Sequence, residues 1–186
     1  MSNKFAREFV LKDGRRVIVR EAEVADSEAF LQYGQEVFKD DKYFMTTKEE
    51  AKEWWSIEKT TDRIKGYIDQ QGKVLLVAVM DGRIVGSIEV ECGSKRRTRH
   101  VGQIGMTVLA EYRGIGVGTA LMASVIAWAR KDAIIEKLAL SVFATNKAAG
   151  GLYKKLGFEE EGREIRKIKL GEGKYVDTVL MYKFVK

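Results

Sequence analysis

Residues 104–130 read IGMTVLAEYRGIGVGTALMASVIAWAR, and the order of side-chain types in this stretch decides how the chain folds. The apolar run Ile104–Leu109 has the length and composition of a buried strand. Three alternating glycines follow, Gly114, Gly116 and Gly118. Beyond them Val117, Leu121, Val125 and Trp128 recur at i, i+4, i+8 and i+11, on one face of a helix. A strand that passes through glycines into a helix N-terminus can hold an anion. The first N–H groups of the helix lack intrahelical partners, and its dipole adds partial positive charge. Glycine also lets a phosphate approach the main chain with no Cβ in the way. The spacing is neither G-x-x-x-x-G-K-[ST] nor G-x-G-x-x-G, so neither common nucleotide loop is present. From these residues alone the turn is either an anion cradle or a tight connection that binds nothing.

Composition sets the bounds. The chain has 186 residues, 45% of them hydrophobic, which suits a single domain over 1–186 with a sizeable core. A formal charge of +6 and a pI near 9.3 favour anionic partners such as phosphates, acidic substrates or nucleic acid, without choosing among them. The one cysteine, Cys92, excludes an internal disulfide framework, and with His100 the one histidine, no metal site is expected. The start MSNKFAREFV has no apolar signal-peptide core, and no segment is long and apolar enough to span a bilayer. These features lead to the expectation of a soluble cytoplasmic protein. Proline is absent where an average composition would supply about 9. Turns must therefore rest on Gly, Asn and Asp.

Outward from the central stretch, Arg16–Glu21 (RVIVRE) alternates and predicts a first strand. Asp26 is placed to cap a helix to about Phe38, with Phe30, Tyr33 and Val37 facing inward. Lys39–Tyr43 is charged and predicts a loop. Thr47 and Glu50 have capping-box spacing at the head of a second helix, TKEEAKEWWSIEK, whose Trp54 and Trp55 are expected to pack. KVLLVAVM (73–80), the turn Asp81-Gly82 and RIVGSIEVE (83–91) predict a hairpin. GSKRRTRH (93–100) is a basic loop, expected to be a solvated hairpin tip. EKLALSVFA (136–144) predicts another strand. REIRKIKL, GEGK and YVDTVLMYKF predict a closing strand–turn–strand, with Asp177 a solvated residue or an amine contact.

Between the last two segments lies NKAAGGLYKKLGF (146–158). Asn146 can cap a helix that Gly157 ends in a left-handed conformation. Leu152 and Leu156 make its buried stripe, and Tyr153 lies at i+7 from Asn146. Gly150-Gly151 inside this helix costs about 0.5–1 kcal/mol per residue relative to Ala and predicts local looseness. Read without further context, Tyr153 is an ordinary half-buried tyrosine.

Taken together, two segments change that reading. Arg113–Gly118 resembles the R/Q-x-x-G-x-G/A segment of GCN5-related N-acetyltransferases (GNAT). Residues 146–158 resemble that family's N-x-x-A-x-x-L-Y-x-K-x-G-F, with Asn146, Ala149, Leu152, Tyr153, Lys155, Gly157 and Phe158 in register. The resemblance implies an α/β (α+β) fold: a central mixed, mostly antiparallel sheet of about seven strands, splayed at its centre and flanked by about four helices. It implies acetyl-CoA in the splay. The pantetheine arm would pair with the main chain of Met106, Thr107 and Val108. Main-chain N–H groups of Arg113, Gly114, Ile115, Gly116, Val117, Gly118 and Thr119 would hold the pyrophosphate, and Asn146 would touch the cofactor. The reaction implied is acetyl transfer to a primary amine by direct attack, with Tyr153 protonating the departing thiolate.

Some relatives place a glutamate five residues before the asparagine; here that position is Ser141. The general base is therefore open among His100, Glu89, Glu91 and a water chain. The first two helices often wall the amine site in this family, and the basic surface favours acidic or neutral amine substrates. The implied partners are acetyl-CoA and an amine, with a homodimer left open, no membrane, and nucleic acid not expected. Two rival classes remain. One is an acetyl-CoA-binding regulator without turnover, motivated by Gly150-Gly151 and the missing glutamate. The other is a nucleic-acid-binding module built on the KRRTRH loop.

Overall fold

The computed structural model describes residues 5–40 and 42–186; the first four residues of the expected start, and residue 41 of the expected loop, lie outside the described residues. The strands are β1 (Ala6–Val10), β2 (Arg16–Glu21), β3 (Lys73–Met80), β4 (Arg83–Cys92), β5 (Val101–Val108), β6 (Lys137–Phe143), β7 (Glu159–Gly171) and β8 (Lys174–Phe184). The helices are α1 (Ser27–Val37), α2 (Lys48–Lys52), α3 (Ile57–Lys65), α4 (Val117–Ala129) and α5 (Lys147–Lys155). One sheet runs β1-β2-β3-β4-β5-β6-β8-β7, and every neighbouring pair is antiparallel except β5 with β6. This is the expected mixed, mostly antiparallel architecture, with one more strand and one more helix.

The extra strand is β1, which pairs with β2 from Ala6↔Arg20 to Val10↔Arg16. Its side chains are mostly exposed, so AREFV has no period-2 apolar pattern to announce it. The extra helix comes from a break. Thr47 and Glu50 form the capping box that heads α2, but the backbone turns extended at Ser56, whose hydroxyl accepts from Lys59 N–H at 3.1 Å and starts α3. Trp54 falls in that break and is 54% exposed, which corrects the expectation that it packs. Trp55 sits edge-on to Phe38, ring centroids 6.3 Å apart.

The sheet has two covered faces. On β3, Val74, Leu76 and Ala78 face α4, while Leu75 and Val77 face α1 and α3. On β4, Ile88 and Val90 join the α4 side, so Ser87, Glu89 and Glu91 point toward α1 and α3. Asp81 and Gly82 both have positive φ and close the β3–β4 hairpin as a two-residue turn. The basic segment 94–99 is the exposed tip between β4 and β5, at the opposite end of β5 from the glycine turn. Among the described residues no helix is long and apolar enough to cross a membrane.

Candidate active site

The parallel pair at the sheet centre is short. β5 and β6 meet only at Val101↔Lys137, Gly102↔Leu138 and Gln103↔Ala139. Beyond these residues the strands part and leave a fork, while β4 follows β5 along its whole length, from Cys92↔Gly102 to Gly86↔Val108. Leu109 N–H donates to Val85 at 3.0 Å, which sets the ladder. Hydrogen-bonding direction alternates along a strand. Thr107 and Gly105 therefore turn N–H and C=O toward β4, whereas Ile104, Met106 and Val108 turn theirs into the fork. Of the three main-chain partners implied for the pantetheine arm, the structure brings Met106 and Val108 to the gap. The Thr107 main chain faces away, and its carbonyl also accepts from the buried Tyr33 hydroxyl at 3.0 Å. The Tyr33 hydroxyl meets Thr107 Oγ1 and Ser87 Oγ as well, and burial pushes its pKa up to about 12.

At the head of the fork the chain turns through Gly114 (φ 81°) and Gly116 (φ 117°), both left-handed, into α4. Gly116 is the N-cap and supplies no side chain; the first turn of α4 holds no acid. Among the described residues its leading N–H groups have no side-chain cap, the condition that favours an anion. Gly118 has a different role. A Cβ there would come within 3.2 Å of Leu152, so α4 and α5 pack closely at that point. Lys12, in the turn after β1, braces the glycines: its N–H donates to Ile115 at 2.9 Å and its Nζ to Gly114 at 3.3 Å. Arg113 Nε donates to the Val108 carbonyl at 2.9 Å, and its guanidinium pairs with Asp40.

Asn146 caps α5, its Oδ1 accepting from Ala149 N–H at 3.2 Å. The helix ends on Gly157 (φ 79°), with Gly157 N–H to Lys154 and Phe158 N–H to Tyr153 both at 3.0 Å. That pair of bonds is a Schellman motif. It holds the main chain of Tyr153 directly. The Tyr153 ring is 7% exposed, beside Phe158, and burial pushes its pKa up to about 12. α5 stays helical through Gly150-Gly151, whose missing side chains face open space.

On the α1–α3 side, Glu89 lies opposite Gly105 in the ladder. A Cβ on Gly105 would sit 2.9 Å from Glu89 Oε1, so the absent side chain makes room for this carboxylate against β5. Arg63 and the Tyr67 hydroxyl donate to Glu89 Oε2 at 2.5 and 3.0 Å. Burial and the charges of Glu89 and Glu91 push the Tyr67 phenol upward, which keeps it a donor. Burial would lower Arg63, but Glu89 outweighs it and the net shift is upward. The other candidate bases lie toward the closed end. Glu91 pairs with Gln103 and reaches Lys73 at 4.0 Å; His100 precedes β5 and its carbonyl accepts from Glu136 and Lys137. Asp177 serves the β7–β8 hairpin, accepting Arg166 N–H at 2.8 Å. On the other prong Tyr43, from the loop after α1, meets Phe143 edge-on at 6.0 Å.

The glycine turn, Met106 and Val108 thus meet at the fork, while Asn146 and Tyr153 lie on α5, which packs against α4 at Gly118 and Leu152, with the Tyr153 ring buried in the core beside Phe158. Lys12, Arg63 and Tyr67 carried no sequence signal, because each reaches the site from a separate element with no local motif; the helical period marked Tyr33 as inward-facing but not as a partner of β5. Uncapped N–H groups, glycines without Cβ and strand edges facing the gap suit a diphosphate on an extended arm.

A model of the acetyltransferase (GNAT) family matches residues 31–158. The L-amino acid N-acetyltransferase AaaT of Escherichia coli is 35% identical over 113 residues, covering 61% of this chain and 69% of that protein. An N-alpha-acetyltransferase of Sulfurisphaera tokodaii is 32% identical over 104 residues, covering 50% of this chain and 61% of that protein. The crystal structure of an acetyltransferase of GNAT family from Streptococcus pneumoniae superposes with a TM-score of 0.85 at 27% identity, covering 90% of this chain and 99% of that chain.

Proposed function

The chain belongs to the acetyltransferase (GNAT) family and is an acyltransferase, and from that premise we propose that it moves the acetyl group of acetyl-CoA directly to a primary amine, with Tyr153 as general acid. Members of this family use acetyl-CoA, which supplies the activated thioester. The main-chain N–H groups of residues 113–119 would bind its diphosphate, with Lys12 holding their geometry. The N–H groups of Met106 and Val108 would pair with the arm and stabilise charge developing on the carbonyl oxygen. Asn146 has its Oδ1 committed to the helix cap, so its amide NH2 would make the cofactor contact.

Tyr153 would give its proton to the departing sulfur. A phenol raised to about 12 stays protonated at physiological pH, the form a general acid needs. Glu89 is the base that the geometry supports best. An ammonium must lose a proton before it attacks, and this carboxylate lies against β5 beside the gap-facing Met106. Arg63 and Tyr67 would keep it in place. The amine would enter from the α1–α3 side.

The observation that carries this reading is the fork itself, headed by a glycine turn whose helix N-terminus has no side-chain cap. The test is acetyl-CoA consumption across a panel of amino acids, peptide N-termini, polyamines and aminoglycosides. Turnover with at least one amine class, lost in Tyr153→Phe, is expected. Tight acetyl-CoA binding with no transfer to any of them would favour the regulator.

A further inference from the structure

On α5, Lys147, Gly150, Gly151 and Lys154 stand at i, i+3, i+4 and i+7, which is one face of the helix. The opposite face carries Leu152, which packs against α4 at Gly118. Across from the glycine face runs β7. Glu160 pairs with Met181 and Arg163 with Val179, and both partners belong to the α4 side of the sheet. Glu160 and Arg163 therefore rise from the face that α5 covers. Between helix and strand lies a groove of about 260 Å³, floored by Val142, Val179 and Met181. Nothing lies within 4 Å of where a Cβ on Gly150 or Gly151 would stand, and neither glycine has positive φ. Packing and backbone conformation thus leave the pair unexplained, although glycine inside a helix lowers its stability. What the two glycines leave is room in the groove. Its charge is one-sided as well. Glu160 is held by Arg163 at 3.6 Å, while Lys147 and Lys154 make no ion pair among the described residues.

We propose that this groove is a second ligand site, separate from the fork, for a small organic anion with an apolar body. Lys147 and Lys154 lie about 10 Å apart along the helix axis, so their long side chains can converge over the glycines on one carboxylate. The body lies in the space the glycines leave, against the apolar floor. A cation would meet net positive charge there, and a neutral molecule would leave both ammonium groups unused. Size follows from the volume. A cavity of about 150 Å³ holds benzene, and on that scale this groove takes about ten non-hydrogen atoms, a ring with a short acid arm. One end of the groove reaches Asn146, but from the side of α5 that faces β7 rather than α4. The site does not depend on the acyl-transfer reading above.

Calorimetric titration of the CoA-saturated protein tests this with three probes: phenylacetate, its neutral isostere 2-phenylacetamide, and acetate, which lacks the ring. Phenylacetate is expected to bind once per chain, at least about tenfold tighter than either of the others, the effect of a charge-assisted contact and of the buried ring respectively. Changing both lysines, Lys147→Gln with Lys154→Gln, should bring phenylacetate down to the level of the amide. Gly150→Leu fills the groove with a residue that favours helix, so the variant is expected to fold, with its melting temperature as the check. It should weaken phenylacetate at least about tenfold while CoA affinity stays within about twofold. Amide resonances of the wild type read the same point without any variant: phenylacetate should move Gly150, Gly151 and Arg163 and leave Gly114 and Gly116 in place. Equal affinity for phenylacetate and 2-phenylacetamide, no binding below about 10 mM, or shifts outside the groove would overturn the site. Loss of phenylacetate binding on adding CoA would assign the anion to the cofactor's site and overturn it too. Failure of the wild type to bind CoA would strike the acyl-transfer reading alone, and the same three probes then test the groove in the free protein.

Discussion

Burial holds Tyr153 as a neutral phenol, and Tyr33 is held the same way. Each has a folded pKa raised to about 12 from an ordinary 10, so the stability this represents is complete below pH 10 and lost as pH climbs through 12. At 1.36 kcal/mol per unit the loss is about 2–3 kcal/mol per residue. Denaturant unfolding at pH 9 and pH 11 should therefore show a steeper alkaline decline in the wild type than in Tyr153→Phe. In catalysis the same substitution removes the proton donor but leaves the cofactor's other contacts. We expect kcat to fall about 100-fold or more, with acetyl-CoA affinity by calorimetry within about twofold; equal turnover in both proteins would remove Tyr153 from the chemistry. Gly105→Ala probes the other side of the fork. Its Cβ would meet Glu89 Oε1 at 2.9 Å, and Arg63 and Tyr67 restrain the carboxylate from yielding. The expected result is about a tenfold loss in kcat/KM for the amine, from displacement of a group near 1 Å. An unchanged value would show that Glu89 need not lie where it does.

Helix ends and turns were the most legible elements, because capping is local. Thr47 with Glu50, Asn146 and Gly157 each make the contacts that their positions in the sequence announce. Strands with an apolar period were legible too. The misses have a common cause. β1 is held by the ladder to β2 and little side-chain burial, and the α2–α3 break is decided by the Ser56 cap, which overrides a continuous helical pattern through Trp54 and Trp55. Which fork residues turn their main chain inward depends on the register with β4, and no pattern in the β5 sequence distinguishes Thr107 from Met106. At this scale the glycines make opposing predictions. Gly116→Asp forces a left-handed backbone on a side chain that resists it and puts negative charge at the α4 N-terminus. Acetyl-CoA affinity should fall at least tenfold by calorimetry. Gly150→Ala and Gly151→Ala add side chains into open space within a helix. Each should stabilise by about 0.5–1 kcal/mol, raising the melting temperature of the double variant by a few degrees. Unaltered stability would mean that α5 is frayed at these positions.

The sheet as a whole consists of two antiparallel halves, β1 to β5 and β6 with β8 and β7, joined in the backbone ladder by three residue pairs. α4 and α5 pack across the same junction through Gly118 and Leu152. An extended arm bound in the fork would complete the missing ladder, and binding to the folded state alone stabilises by about 2.7 kcal/mol at a ligand concentration 100-fold above Kd. For a chain of this size that amounts to a rise of about 5–10 °C in melting temperature. A melting shift alone would not show where the ligand lies. Amide exchange does, because the strand alternates. Met106 and Val108 turn their N–H groups into the fork, while Thr107 already donates to β4. Adding acetyl-CoA should slow exchange at Met106 and Val108 by an order of magnitude or more and leave Thr107 near its starting rate, an alternation that general rigidification cannot produce. Uniform protection of all three amides, or protection confined to the basic tip at 94–99, would place the ligand elsewhere and remove the fork from the mechanism.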